Sequence, residues 1–485
     1  MVGDNPIMRQ ATAPLARLLA YPLVCLLVCT LALSAPAGAR SLLTVTDPHF
    51  DPLADKTLAA QLARAPVQQW DALLGQADGA ALGRFGVDPG WALVRAMLDR
   101  MQTAEPHPDV VMVLGDLLAH HFRETFDKSS IADRSEPAYR AFVAKTVDFL
   151  GLEIARRFPG AVILPAVGNN DGDCGDYAVE PNGPFLADTM AAARGLVGKA
   201  AEPDFADTWR ATGSYTARLG PHLRAISLNT VFFSRHYRAD ACGDVPAAAP
   251  GAAARAVLDY LAGALAAAEK AGDKVWLLYH IPPGADAYQT QRRGTCPDGA
   301  VAMWPADTTR AFQALMRRYR DTVIAGFAGH THMDEFRLIR GADGIADGFV
   351  LVTPAVSPIF GQNPGFTRYE TGEDGQLRDR TVFYLANLEA AHTAADWRAE
   401  YRFDTAWHVD ALDAATLAAV DGRIRTAPAD RAQWETFFSV SQPAMWQAQG
   451  GAAAPSAASF RVHWCTQHTT DPTGFNLCVC AGKDD

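Results

Sequence analysis

The stretch Thr322-Val323-Ile324-Ala325-Gly326-Phe327-Ala328-Gly329-His330-Thr331-His332 reads as a short apolar strand that runs into two histidines one residue apart. A continuous apolar run of this length predicts a strand buried on both faces of a parallel sheet. Sheets of that kind carry their ligand sites just beyond the carboxyl ends of the strands. Four earlier segments repeat the arrangement. The predicted strand over 42–46 runs into Asp47-Pro48-His49, and that over 110–114 into Gly115-Asp116. The strand over 161–164 leads to Gly168-Asn169-Asn170-Asp171, and that over 274–279 ends at His280.

Helical spacing of apolar residues predicts helices over 91–102, 138–157, 253–271 and 307–319, alternating with these strands. Further strands are expected at 213–219, 223–228, 335–339, 349–352, 366–370 and 381–385. The segment up to about Pro89 reads as irregular. After about residue 400 the pattern is mostly helical, with Gly450 to Ser459 as a flexible Ala/Gly/Pro tract. Strand–helix alternation followed by a run of strands implies an α/β fold of two packed sheets with helices outside.

Composition is that of an ordinary globular chain of 485 residues, long enough for one large α/β domain with an appendage. A net charge of -11 argues against nucleic-acid binding, which runs on Lys and Arg. The N-terminus reads as a secretory signal peptide. Arg9 and Arg17 precede an apolar stretch from Leu18 to Leu33, and Ala37-Gly38-Ala39 supplies a cleavage site. An uncleaved anchor is the alternative, although the stretch is short for a span. The expected organisation is therefore 1–39 signal peptide, 40–400 catalytic domain and 401–485 a helical, disulfide-bonded region. Export to a secreted or periplasmic location follows, with no membrane span after cleavage. Cys25 and Cys29 would leave with the signal. The remaining six cysteines, Cys174, Cys242, Cys296, Cys465, Cys478 and Cys480, favour disulfides in an exported chain. Fifteen pairings are possible, and sequence alone does not choose among them.

Each block has a bland reading of its own. Asp47-x-His49 places a carboxylate and an imidazole on one face of an extended segment, yet a buried histidine with a carboxylate partner is commoner. Asp116 could be a helix N-cap, and Gly168-Asn169-Asn170-Asp171 a turn. Pro282 and Pro283 fix the direction of His280 by ending its strand. In order along one chain, however, the blocks assemble Asp47, His49, Asp116, Asn169, His280, His330 and His332. If Asp116 is shared, each of two divalent ions receives four protein ligands. Such a donor set suits zinc first, with manganese or iron as alternatives. An ion pair of this type lowers the pKa of a bridging water, which then attacks phosphorus as hydroxide. His120, about one helical turn beyond Asp116, is a candidate to face the same site, with His121 beside it. The histidines at 107, 222, 392, 408, 463 and 468 stand in no such context and read as surface or core residues. Arg317-Arg318-Tyr319-Arg320 could meet a polyanion but is better read as a solvated helix face.

The order D-x-H, GD, GN, H, GHxH resembles that of the calcineurin-like metallophosphoesterases. Gly115-Asp116-Leu117-Leu118-Ala119-His120, Tyr279-His280-Ile281-Pro282-Pro283-Gly284 and Gly329-His330-Thr331-His332 are similar to acid sphingomyelinase and its phosphodiesterase relatives. Ser227-Leu228-Asn229-Thr230, Asn363-Pro364-Gly365-Phe366 and Tyr384-Leu385-Ala386-Asn387-Leu388 extend the likeness to about residue 390. The resemblance implies a four-layer metallophosphoesterase sandwich, two mixed sheets flanked by helices, with a C-terminal helical region. It implies that Asp47, His49, Asp116 and His332 hold one ion, and that Asp116, Asn169, His280 and His330 hold the other. It places His120 near the scissile phosphate. It also suggests that Cys242 pairs with Cys296, and Cys465 with Cys478 or Cys480.

Two departures stand out. No Cys-dense helical segment comparable to a saposin domain precedes Asp47. The family's usual GNH is here Gly168-Asn169-Asn170, so Asn170 takes the place of a histidine that assists the leaving group. The sequence Gly168-Asn169-Asn170-Asp171 resembles the endopolyphosphatase branch. Slow cleavage of sphingomyelin is the expectation. The leading reading is thus an exported two-metal phosphoesterase acting on a phosphodiester or phosphoanhydride, sphingomyelinase-like. The substrate could be a small phosphoester, nucleotide, phospholipid or polyphosphate, so endopolyphosphatase and nucleotide or phosphomonoester phosphatase are the alternatives. A non-catalytic metal- or phosphate-binding protein is the rival of another class, and Asn170 is its only support.

Overall fold

The structure, a computed structural model, describes residues 40–481 apart from 78–81, 244–248, 250, 294–295, 297–298, 342, 391–393, 442 and 444–456. All of these belong to the second of two compact units, Met1–Ala39 and Arg40–Asp485. The signal-peptide reading of residues 1–39, His392 and most of the Gly450–Ser459 tract lie outside the described residues.

β1 (Arg40–Val45), β2 (Val110–Val113) and β3 (Val162–Pro165) are parallel neighbours. β10 (Gly365–Thr371), β11 (Leu377–Leu385) and β12 (Trp397–Arg402) extend this sheet antiparallel from β1, giving the order β12-β11-β10-β1-β2-β3. The second sheet runs β4-β5-β6-β7-β9-β8. Its members are β4 (Tyr215–Gly220), β5 (Leu223–Leu228), β6 (Lys274–Tyr279), β7 (Val323–Ala328), β8 (Glu335–Arg340) and β9 (Ala346–Val352). Here β5, β6, β7 and β9 are parallel, and β4 and β8 are antiparallel edges. The two mixed sheets meet face to face. Phe327 of β7 lies edge-on to Tyr369 of β10, with ring centroids 5.3 Å apart. Tyr215 of β4 donates its hydroxyl to the Pro165 carbonyl of β3 at 2.9 Å.

Helices cover the outer faces: α1 (Trp91–Ala104), α2 (Glu136–Arg157), α3 (Pro184–Val197), α4 (Ala252–Ala271) and α5 (Ala306–Arg318). In α4, Val257, Leu261, Leu265 and Ala268 recur at helical spacing and are buried, which is why that segment is an amphipathic helix. α2 starts at Glu136, earlier than its apolar pattern suggests, because Ser135 caps it by accepting from Ala138 N and a proline sits in the first turn. α3 is not apparent from the sequence pattern. It buries Phe185, Thr189, Ala193 and Val197 on one stripe. β12 is also unexpected: only its Tyr401 is buried, so no apolar run announces it.

Beyond β12 come α6 (Ala414–Thr426), α7 (Pro428–Ser441), α8 (Ala457–His468) and α9 (Pro472–Cys480). α6 and α8 pack on β8, and α6 also packs on β9. Among the described residues, no helix is long and apolar enough to cross a membrane.

Among the described residues there are three disulfides, and one expectation is corrected. Cys242 bonds to Cys174, not Cys296. The loop after Asn169 crosses to residue 238, where Arg238 N donates to the Tyr177 carbonyl at 2.9 Å, and this brings Cys242 beside Cys174. Cys296 instead bonds Cys480, because the segment before it packs on α9: Ala285, Ala287, Phe475 and Val479 form one apolar cluster. Cys465 bonds Cys478, tying α8 to α9, one of the two partners the sequence suggested.

Candidate metal centre

Five strands end at the same place. Asp47 and His49 follow β1, Asp116 follows β2, Asn169 follows β3, His280 follows β6, and His330 and His332 follow β7. The seven side chains converge. His332 Nε2 is 3.2 Å from Asp47 Oδ1 and 3.3 Å from His49 Nε2. His280 Nε2 is 3.2 Å from Asp116 Oδ2 and 3.1 Å from Asn169 Oδ1. Asp116 Oδ2 lies between the two groups, also 3.5 Å from His49 Nε2. Asp47, His49 and His332 form one cluster able to hold a metal ion, and Asp116, His280 and His330 a second.

The backbone is bent to achieve this. Asp47, His49, Asp116, His330 and His332 all have positive φ, between 39° and 72°. That region is uncommon for residues other than glycine, and such strain gathers at functional sites. Two glycines let the loops close up. A Cβ on Gly168 would stand 2.2 Å from Asp116 N and Oδ1, and one on Gly329 would stand 2.0 Å from Thr46 Oγ1. Gly168→Ala should therefore cost about 2 kcal/mol or more of stability and depress turnover with it. A variant with wild-type melting temperature and rate would contradict this packing.

Partners outside the cluster aim the ligand atoms. His280 Nδ1 faces the Leu114 carbonyl at 2.7 Å, and His49 Nδ1 the Leu118 carbonyl at 3.1 Å. Each carbonyl accepts the Nδ1 proton and so turns Nε2 toward the cluster. Asn169 Nδ2 donates to Asp176 Oδ1 at 2.7 Å, so its Oδ1 points inward. The Gln362 amide lies against His332 Nδ1. Asp171 accepts from the backbone of Gly168, Asp116 and Leu117 at 2.7–2.8 Å and staples two loops together. Asp88, Asp171, Asp176 and Gln362 escaped the sequence reading as functional residues. None falls in a strand-terminal motif that could have exposed it, except Asp171, whose place after Gly168-Asn169-Asn170 was the available signal.

The electrostatics are those of a cation site. Asp47 is fully buried, and its Oδ1 has no hydrogen-bond donor. Burial would push that carboxyl up, but the His332 and His280 imidazoles override it and hold it well below the usual range. Burial likewise opposes charge on His49 and His280. For His49, Asp47 and Asp116 pull the value up to about 9; for His280, Asp116 and Asp47 pull it up to about 10. Burial and the nearby His280 charge push His330 down to about 3, so it stays neutral and able to donate a lone pair. Buried carboxylates whose neighbouring positive charge comes from imidazoles, one oxygen left orphaned, and the neutral nitrogen of His330 fit divalent cations.

His120 lies at the edge. Its ring stacks on His49 with centroids 4.1 Å apart. Its Nδ1 is 3.0 Å from Asp88 Oδ2, and its backbone N–H donates to the same oxygen at 2.7 Å. Ser357 Oγ donates to Asp88 Oδ1 at 2.9 Å. Burial raises the Asp88 carboxyl, yet its bond to His120 and the nearby His49 charge leave it below the usual value. Phe360, 43% exposed, leans over His332 and His120. Asn170 points elsewhere than His120: its backbone N–H and Nδ2 donate to Asp116 Oδ1 and Oδ2 at 2.7 and 3.0 Å.

Of the other described histidines, His463 alone lines the cavity beside His330. His107, His222 and His408 are exposed, His463 is buried, and His468 Nδ1 is 2.7 Å from Asp421. Arg317, Arg318 and Arg320 face Asp343, Glu269 and Asp347, a solvated and ion-paired surface.

The chain is 24% identical over 427 residues to acid sphingomyelinase-like phosphodiesterase 3b of Homo sapiens, covering 83% of each chain. This likeness, with the clustered metal-ligand side chains, supports a calcineurin-like metallophosphoesterase of the acid sphingomyelinase-like branch. Sphingomyelinase phosphodiesterase D of Dictyostelium discoideum is 24% identical over 345 residues, 68% of each chain. Human sphingomyelin phosphodiesterase is 29% identical over 292 residues, 53% of this chain and 40% of that one. No protein-family model matches the chain. A solved dimetal phosphatase from Danio rerio superposes with a TM-score of 0.36 and 12% identity, over 74% of this chain and 98% of its own, too loosely to guide the site.

Proposed function

We propose that this chain is an exported phosphodiesterase working with two divalent ions. Asp47, His49, Asp116 and His332 would hold one ion, and Asp116, Asn169, His280 and His330 the other, with zinc the first choice for this donor set. When bound, the ions supply an acidified water as nucleophile and positive charge for the phosphoryl oxygens. The observation that carries the reading is the orphaned Oδ1 of fully buried Asp47, facing three imidazoles beside a shared Asp116.

The chain's own residues do the rest. Asp88 accepts a hydrogen bond from the Nδ1–H of His120; in the imidazolium form the Nε2 proton would pass to the departing oxygen and leave the neutral, Nδ1-protonated ring. Asn170 acts on Asp116 and so positions that carboxylate.

An adjoining cavity of about 220 Å³ favours an organic phosphodiester over polyphosphate. It opens beside His330 and is lined by Tyr177, Tyr288, Met303, Met333 and Phe360. Its arginine, Arg337, is spent on Glu335 and the Pro283 carbonyl, and Asp286 adds an acid. A polyanion would meet little attraction there. The three disulfides support an oxidising compartment, secreted or periplasmic.

Product release from a panel of organic phosphodiesters, phosphomonoesters and inorganic polyphosphate tests the reading. Diesters with an apolar or aromatic substituent should be cleaved fastest. Polyphosphate leading the panel would overturn the choice of substrate, and no hydrolysis with metal bound would favour a binding protein.

A further inference from the structure

We infer that the groove between α6, α7, α8 and α9 is a docking surface for membranes carrying anionic phospholipid. The groove encloses about 640 Å³ and lies outside the metal centre. Arg425, Arg431 and Arg461 line it, with Glu435 as the opposing acid. Among the described residues none of these arginines meets a carboxylate. Arg425 lies over the Trp464 ring at 5.5 Å. Arg431 donates to the carbonyls of Ile424 and Arg425 at 3.2 and 2.5 Å, which leaves its charge uncompensated. Elsewhere on this chain of net charge -11, arginines such as Arg317, Arg318 and Arg402 stand against acids. Cations concentrated in one groove of an acidic protein are complementary to an anionic surface.

An apolar contact stands beside them. Leu477 is 69% exposed, more than any other large apolar side chain among the described residues. It sits on α9, which is tied to α8 through Cys478–Cys465 and to Cys296 through Cys480. Those bonds, with Phe475 and Val479 buried on the opposite side, hold Leu477 outward. An exposed leucine flanked by arginines and a tryptophan is the chemistry of a lipid interface, where the apolar group enters the acyl boundary and the cations meet headgroup phosphates. α8 separates this surface from the catalytic side: Arg461 and Trp464 face the groove, whereas His463 lines the cavity beside His330. A membrane docked on the groove would lie one helix from that cavity.

The inference stands apart from the proposed reaction, and vesicle co-sedimentation tests it without catalysis. The purified protein should bind phosphatidylserine–phosphatidylcholine vesicles, more weakly as salt rises. The Arg425→Glu/Arg461→Glu variant should bind at least about tenfold more weakly, and Leu477→Asp should also lose binding, both with unchanged melting temperature. If the double variant fails to fold, Leu477→Asp decides alone. Equal binding to pure phosphatidylcholine, binding indifferent to Leu477→Asp, or full displacement by inorganic phosphate at matched ionic strength would overturn the inference.

Discussion

Asp116→Asn is expected to lower turnover by about a thousandfold or more and to reduce bound metal, while leaving the fold in place. Asp116 Oδ2 lies between the two clusters, within 3.2 Å of His280 Nε2 and 3.5 Å of His49 Nε2. An amide keeps the size and one acceptor oxygen but removes the charge. Asparagine also tolerates the φ of 55° found at this position, so the backbone has no reason to change. Metal analysis beside steady-state rates checks the result. Wild-type turnover with full metal content would mean that the shared carboxylate does not join two ion sites.

His120→Ala should separate substrates by their leaving groups. A proton from a positioned imidazole is worth about 10²–10⁴-fold to a poorly acidic alcohol and little to a nitrophenolate, which departs as an anion. Rates on alkyl phosphodiesters should fall by that factor, and rates on bis-nitrophenyl phosphate should change little. Asp88→Asn should follow the same pattern less severely, because Asp88 is hydrogen-bonded to the His120 ring and would act only through it. An equal loss on both substrate types would show that His120 does not serve the leaving group. Asn170→His probes the neighbouring position. A selective gain on alkyl diesters would mean that an imidazole there reaches the leaving oxygen. A loss on all substrates would fit the present role of Asn170 in holding Asp116.

Much of this centre was legible because its side chains sit where apolar strands stop. β2 and β6 announce themselves by unbroken apolar runs, and the residue after each run is placed by the sheet. The two-sheet architecture followed from the same alternation of strands and helices. What escaped notice depends on contacts between distant segments. Asp88 belongs to a stretch with no periodic pattern, and only the fold brings it to His120. Asp176 and Gln362 act through Asn169 and His332 from loops of no special composition. β12 carries too few buried residues to form an alternating signal. The Cys174–Cys242 and Cys296–Cys480 bonds follow from loop packing, which neighbouring family blocks do not encode. The left-handed backbone at Asp47, His49, Asp116, His330 and His332 was equally invisible, because no glycine or asparagine marks those positions.

Anomalous diffraction from crystals of the metal-loaded protein tests the central claim most directly. Two peaks about 3.5–4 Å apart are expected. One should lie among Asp47, His49 and His332, the other among Asn169, His280 and His330, with Asp116 between them. A single peak, or none at these side chains in an active preparation, would contradict the two-metal account.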